Sequence, residues 1–179
     1  MNRHNSRLVA IFGGSRVPPE SAEYQEAFEI GARLARAGYA VMNGGYNGTM
    51  EASARGAKEN GGRTIGVTSA EFALLAPNAY LDEEQKSEDL FARIRTMFQR
   101  ADAFIVLKGS MGTLAELTLV WNLARIERNQ RKPIILLGEH WRHVLASWRE
   151  HLAVTEEEAA LLRVAATPRE AIELLKKEL

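Results

Sequence analysis

The stretch Ile105-Val106-Leu107-Lys108-Gly109-Ser110-Met111-Gly112-Thr113-Leu114-Ala115-Glu116 decides how the chain is read. An apolar run stops at small residues, and a helical pattern follows that carries a carboxylate inside its first turns. A strand that ends in a glycine turn and feeds a helix gathers unpaired backbone N–H groups and the positive end of a helix dipole at one point, which makes a seat for a phosphate. Glu116 stands one turn deeper, beside whatever binds there.

Working outward, apolar runs of strand length alternate with segments of helical period: Leu8 to Phe12, Ala40 to Met42, Thr64 to Val67, Phe104 to Leu107 and Ile134 to Leu137. That alternation predicts an α/β fold, one Rossmann-like domain over residues 1–179 with a parallel sheet flanked by helices on both faces. The first helix is expected to open at Pro18-Pro19, with Glu20, Glu23, Glu26 and Glu29 in its front half, Arg33 and Arg36 behind, and Gly38 at its end. Its buried face is Ala27, Ile30, Gly31 and Leu34. A second helix runs from about Thr49 to Lys58 and closes at Asn60-Gly61-Gly62. Residues Ala70 to Lys86 lack a period and mix proline, asparagine and acids, so they read as a long loop, a mobile lid or pocket wall.

Ser87 to Arg100 reads as a helix with Leu90, Ile94, Met97 and Phe98 inward. Thr113 to Glu127 is another, and Leu114, Leu117, Leu119, Val120, Trp121, Leu123 and Ala124 leave it apolar nearly all round. Such a helix is either central or covered by a second subunit, the latter giving a homodimer. Trp141, Val144, Leu145, Trp148 and Leu152 form a core-facing stripe, and Thr167-Pro168-Arg169-Glu170 has the lettering of a capping box that launches the last helix.

Composition narrows the function. The 179 residues suit one domain with a sizeable core. Basic and acidic residues number 23 each, so no long-range field favours nucleic acid or a membrane surface. Without cysteine there is neither a disulfide framework nor a thiolate metal site. The leading Met1-Asn2-Arg3-His4-Asn5-Ser6-Arg7 enters an apolar run too short for a signal-peptide core or a membrane span, and the expectation is a cytoplasmic protein.

Three glycine-bearing turns follow strands: Gly13-Gly14-Ser15, Gly44-Gly45-Tyr46-Asn47-Gly48-Thr49 and Gly109-Ser110-Met111-Gly112-Thr113. In an open parallel sheet these turns converge at the carboxyl ends of the strands, where ligands bind. Any one of them reads equally well as a tight strand-to-helix connection; three together point to a ligand. Neither G-x-G-x-x-G nor a Walker motif is present, so the expected ligand carries a single phosphate. Gly14, Ser15, Gly44, Gly45, Gly48, Thr49, Gly109, Ser110, Met111, Gly112 and Thr113 are the candidate binding residues. His140 and His143 share a helix face with no third ligand in view, and no metal is expected.

The order Phe12-Gly13-Gly14-Ser15, then Gly44-Gly45-x-x-Gly48, then Arg93, then Gly109-x-x-Gly112-Thr113-x-x-Glu116 resembles the LOG family of cytokinin-activating nucleoside 5′-monophosphate phosphoribohydrolases, long mislabelled lysine decarboxylases. The resemblance covers roughly Leu8 to Leu137 and rests on the family motifs P-G-G-x-G-T-x-x-E and G-G-G-x-x-G-L-M-G together with the preceding arginine. It implies a Rossmann-like fold, a dimer or larger assembly, no cofactor, and hydrolysis of the bond between a base and ribose 5-phosphate. By position it assigns Glu116 as the catalytic glutamate, Arg93 as the catalytic arginine, and Gly109, Gly112 and Thr113 to the phosphate turn.

The residue types fit that chemistry. Cleaving an N-glycosidic bond builds positive charge on the sugar, which a carboxylate can stabilise while it orients or deprotonates water. An arginine fork can hold ribose hydroxyls or phosphate and can fix the carboxylate. Taken without the family pattern, Glu116 reads as a solvated helix residue and Arg93 as a surface partner of Glu88 or Asp89. The chain departs from the motifs at Lys108 and Ser110 in the phosphate turn, at Asn43 and Glu51 in the second turn, and at Ile94, where a lysine is usual. These positions bear on substrate identity. Lys108 either points away from the pocket or adds a cation to it, and Ser110 either narrows the turn or donates to a phosphate oxygen. The alternative from another class is a non-catalytic nucleotide or molybdenum-cofactor carrier of the same fold.

Overall fold

Strand β1 (Leu8–Phe12) leads through α1 (Ala22–Arg36) to β2 (Ala40–Asn43), α2 (Thr49–Glu59), β3 (Thr64–Ser69) and β4 (Glu83–Ser87). The chain continues with α3 (Leu90–Arg100), β5 (Ala103–Val106), α4 (Met111–Ile126), β6 (Ile134–Leu137), α5 (His140–His151), the single turn α6 (Glu156–Ala159), β7 (Leu162–Ala165) and α7 (Pro168–Glu178). The structure is a computed structural model describing residues 6–126 and 132–179. The leading Met1 to Asn5 and the last residue of the fourth expected helix, Glu127, lie outside the described residues.

All strand pairs are parallel, in the order β4-β3-β2-β1-β5-β6-β7. Side chains alternate across a strand, and the alternation builds two cores. Ala10, Phe12, Met42, Phe104, Val106 and Leu136 pack with Ile94 and Met97 of α3, Leu117 and Val120 of α4 and Trp141 of α5. Val9, Ile11, Val41, Ile105 and Leu137 pack with Ile30 and Leu34 of α1, Ala52 and Ala57 of α2 and Leu175 of α7. With both faces covered, the central strands are continuous apolar runs, which is why they are legible in the sequence. The fold is the expected Rossmann-like one.

The order of strands reverses between β1 and β5, and their ends are tied there by the Leu107 N–H donating to the Phe12 carbonyl at 2.8 Å. Such a reversal opens a crevice at the carboxyl edge of the sheet. The turns after β1, β2 and β5 all meet at this edge.

Several local expectations change. Helix α1 starts at Ala22: the Ser21 hydroxyl accepts from the Tyr24 N–H, and Ser21 N–H donates to the Pro18 carbonyl, so Pro18, Pro19 and Glu20 form the preceding turn. A serine cap outweighs the proline signal because it satisfies an orphan amide. Within 70–86, a 3₁₀ turn (Ala70–Phe72) and strand β4 replace the unbroken loop. Helix α3 starts at Leu90 under an Asp89 cap, and α4 starts at Met111. Strand β7 and the turn α6 are additional elements. At Thr167 the box is only half formed: its hydroxyl accepts from Glu170 N–H, while the Glu170 carboxylate accepts from Ala166 N–H. The reciprocal box occurs at Thr155 and Glu158.

The apolar residues of α4 find much of their cover within the chain. Leu114, Leu119, Trp121 and Leu123 pack against the first core, and Trp121 stacks on Trp148 at 5.9 Å between ring centres. The exposed residues of the helix are Met111, Gly112, Ala115, Thr118, Asn122, Arg125 and Ile126.

Candidate functional site

At the crevice, β5 passes through Leu107, Lys108, Gly109 and Ser110 into α4. The first helical hydrogen bond outside the helix span is Leu114 N–H to the Ser110 carbonyl, so the N–H groups of Met111, Gly112 and Thr113 precede the ladder. Sixteen aligned residues put a positive dipole end at that point. The hydroxyls of Ser110 and Thr113 make no hydrogen bond among the described residues, although Thr113 is buried.

Behind this turn lies a buried ion pair. Arg93 on α3 and Glu116 on α4 are 6% and 7% exposed, and Arg93 Nη1 donates to Glu116 Oε1 at 3.2 Å. Both residues fall inside the buried stripes of their helices, Leu90-Arg93-Ile94-Met97 and Thr113-Glu116-Leu117-Val120. Arg93 Nε donates to the Val67 carbonyl of β3 at 2.7 Å, and Nη2 lies so close to Gly44 that a Cβ there would collide with it. The guanidinium is thus held from β3, α4 and the β2–α2 turn. One contact of 3.2 Å is longer than the roughly 2.7–2.9 Å of a strong charge-assisted bond. Burial therefore prevails over the cation: the Glu116 carboxyl is pushed up to about 7 by desolvation, with Arg93 opposing.

A cleft of about 170 Å³ covers the pair. Ser15, Gly44, Arg93, Ser110, Gly112, Thr113 and Glu116 line it on the polar side, and Tyr46, Met50, Phe72, Leu75 and Leu90 form an apolar wall. Among the candidate residues, those seven come together on the cleft. The other candidates stand around it. The Gly14 carbonyl accepts from both Thr49 N–H (2.9 Å) and Thr49 Oγ1 (3.2 Å), joining the β1 turn to α2. Gly48 adopts φ 69° and rests on the backbone of Gly14 and Ser15, where a side chain would have no room. Gly45 donates to Asn43 Oδ1, Gly109 packs on Thr113, and the Met111 side chain is 78% exposed.

The departures from the family motifs also find their places. Lys108 turns away from the cleft to Glu23 at 3.2 Å, both exposed. Glu51 accepts from the Tyr24 hydroxyl at 3.2 Å, inside the packing of α1 against α2. Asn43 is fully buried in the second turn. His143 is exposed, whereas His140 is half-buried with its ring against Gly138. The apolar wall is the part that sequence reasoning leaves undefined; Phe72 and Leu75 fall in the stretch expected to be a pocket wall, but Tyr46 and Met50 carry no distinguishing signal. Replacing Lys108 with alanine is expected to leave the urea midpoint and the ligand affinity of the cleft unchanged, because the pair is solvent-screened and faces away. Weakened binding on that change would place the ammonium in the cleft.

A parallel α/β fold with unpaired helix N-terminal amides and a buried Arg–Glu pair at its switch point belongs to the Rossmann-like class, whose ligands bind at that edge of the sheet. The comparisons specify it. Residues 6–172 match the model of the SLOG cluster4 family, and relatives named cytokinin riboside 5′-monophosphate phosphoribohydrolase align at 36% identity in Mycobacterium tuberculosis (76% of this chain, 75% of the relative) and 34% in Mycobacterium marinum (82% and 79%). The chain belongs to this LOG-type family. Among solved structures, the molybdenum cofactor binding protein of Rippkaea orientalis superposes with a TM-score of 0.76 at 24% identity, covering 97% of this chain and 98% of that one. The molybdenum cofactor carrier protein of Chlamydomonas reinhardtii gives 0.70 at 21%, covering 97% and 98%; these two likenesses concern the fold.

Proposed function

We propose that the protein is a nucleoside 5′-monophosphate phosphoribohydrolase acting on a purine nucleotide, AMP or a cytokinin-type relative. The observation that carries this reading is the Arg93–Glu116 pair set one turn behind the free N–H groups of α4. The phosphate docks on those amides and on the Ser110 and Thr113 hydroxyls, which places the ribose over Glu116. As the bond from C1′ to the base nitrogen breaks, its electron pair leaves with the base and positive charge grows on the ring. The Glu116 carboxylate stabilises that charge and takes a proton from the water whose oxygen bonds to C1′; the departing base nitrogen takes up a proton from solvent, and Glu116 returns one to solvent when the products leave. Arg93 keeps the carboxylate oriented and steers the sugar hydroxyls.

The cleft volume of about 170 Å³ is below the roughly 300–1,000 Å³ of a drug-sized pocket. It suits the sugar phosphate, with the base lying along Phe72 and Leu75, the exposed part of the apolar wall. No cofactor enters the scheme, and the partner is a small nucleotide. Relatives named as hydrolases at 34–36% identity support the reaction class.

The test is incubation of the pure protein with a panel of nucleoside monophosphates, followed by chromatography for free base and a colorimetric assay for ribose 5-phosphate. Equimolar release of both products is the expected result. Saturable binding of a nucleotide, or of molybdenum cofactor, without any product would replace the enzyme with a carrier that uses the same seat.

A further inference from the structure

Asn43 stands where the family motif places its first glycine. It is the last residue of β2, 1% exposed, and its carboxamide is fully engaged. Nδ2 donates to the Met50 carbonyl at 2.8 Å and to Ser53 Oγ at 3.1 Å, while Oδ1 accepts from the Gly45 N–H at 2.8 Å. The last bond closes an Asx-turn over Gly44. The other two fasten the same turn to the first and second turns of α2, where Ser53 Oγ in turn donates to the Met50 carbonyl at 3.1 Å. A buried amide with both donors and its acceptor used fixes a single backbone arrangement, since any other leaves polar atoms unpaired.

Gly44 is the wall against which Arg93 Nη2 rests, and the Met50 sulfur touches the same spot. A chain of contacts therefore runs from the Asn43 carboxamide through the Gly44 backbone to the guanidinium, and from the guanidinium to Glu116. Nothing else on the β2 side holds Arg93 in place among the described contacts: Nε is fixed by β3 and Nη1 by α4.

We infer that Asn43 is a positioning residue, which locks the β2–α2 turn so that Gly44 holds the Arg93 guanidinium in register with Glu116. It touches no substrate. The inference deepens the proposed function and rests on it for its kinetic consequence, but its structural consequence can be read without turnover. Arg93 and the Tyr46 hydroxyl are the other ionisable groups on the cleft, and Tyr46 is committed to Ser69, accepting from its N–H at 3.0 Å. A looser guanidinium thus leaves Glu116 with less opposition to burial.

The experiment compares Asn43→Ala and Asn43→Asp with Leu175→Ala, a core substitution on α7 remote from the cleft. The titration of Glu116 is followed by NMR of glutamate labelled at the side-chain carboxyl carbon. Both Asn43 variants are expected to move the Glu116 titration upward from about 7, while Leu175→Ala lowers the melting temperature and leaves that titration in place. In the assay, kcat falls roughly ten- to a hundredfold at nearly constant KM, the loss expected from misplacing a catalytic group. If Asn43→Ala does not fold, Gly44→Ala asks the same question from the other side, because its Cβ displaces Nη2 directly. An unmoved Glu116 titration in the folded variants would reduce Asn43 to a purely structural role and overturn the inference. Absence of turnover in the unaltered protein, with the titration shifting as expected, would overturn the proposed reaction instead.

Discussion

Changing Glu116 to glutamine is expected to abolish most turnover while leaving nucleotide affinity close to that of the unaltered protein. The amide matches the carboxylate in size and accepts the Arg93 bond, but it can neither take a proton from water nor carry the negative charge that the sugar demands. Loss of a general base lowers rates by about 10²–10⁴-fold, so kcat is expected to fall in that range. The phosphate seat, made of α4 amides, is untouched. The pH profile gives a second readout. Because burial raises the Glu116 carboxyl to about 7, kcat/KM of the unaltered protein should climb as pH rises through that value and the reactive carboxylate forms. The residual rate of Glu116→Gln should lack this limb. A variant retaining full kcat, or retaining the limb, would remove Glu116 from the reaction.

The same shift has a stability signature with a definite sign. The folded-state value, about 7, lies above the ordinary 4.5, so between those pH values the native state holds a proton that the unfolded chain has released. The contribution of Glu116 to stability therefore declines as pH rises from 4.5 towards 7 and levels off beyond, while His140, held below its ordinary value by burial and by Lys108, contributes with the opposite sign in the upper part of that window. Glu116→Gln should flatten that decline in urea titrations. The carboxylate is kept in a place that disfavours its ionised form, which is what a base poised near neutrality requires.

The legibility of the molecule follows burial. The central strands read clearly because both faces are covered and the runs are unbroken, as in Leu8–Phe12 and Ile134–Leu137. The edge strand β4, Glu-Glu-Gln-Lys-Ser, pairs on one side only and carries no apolar run, so its residues blend into the preceding loop. The opposite edge, β7, buries just Leu162 and Ala165 and escapes in the same way. In the site, the glycine turn before α4 is legible from its spacing, whereas the apolar wall is assembled by tertiary packing from three separate stretches, 46–50, 72–75 and Leu90. The pair itself carries a local signal: Arg93 and Glu116 each interrupt an otherwise apolar helical stripe. A charge in such a stripe needs a buried partner, and two such charges on neighbouring helices are candidates for each other.

Removing Arg93 is expected to have the largest effect on stability, with a dependence on pH that separates its role from that of an ordinary core residue. In Arg93→Ala the Glu116 carboxyl stays buried and loses the cation that offsets its desolvation. Breaking a buried pair on one side costs about 3–5 kcal/mol, a large share of the roughly 5–15 kcal/mol that holds a domain together. Glu116 has an escape, which is to bind a proton, so its titration moves above the present value of about 7. Native protein then retains its proton over a wider interval, and stability declines across that whole interval as pH rises. The deficit relative to the unaltered protein should thus be modest at about pH 5 and approach the full cost at about pH 8.5. Part of it persists at low pH, because the bond to the Val67 carbonyl and the packing against Gly44 are lost as well. The double variant Arg93→Ala with Glu116→Gln should recover stability at the higher pH, since no buried carboxylate is left to ionise, giving strong non-additivity in the mutant cycle. Urea midpoints for the four proteins at both pH values check this. A deficit equal at the two values, with additive changes, would mean that the two side chains do not share one electrostatic site.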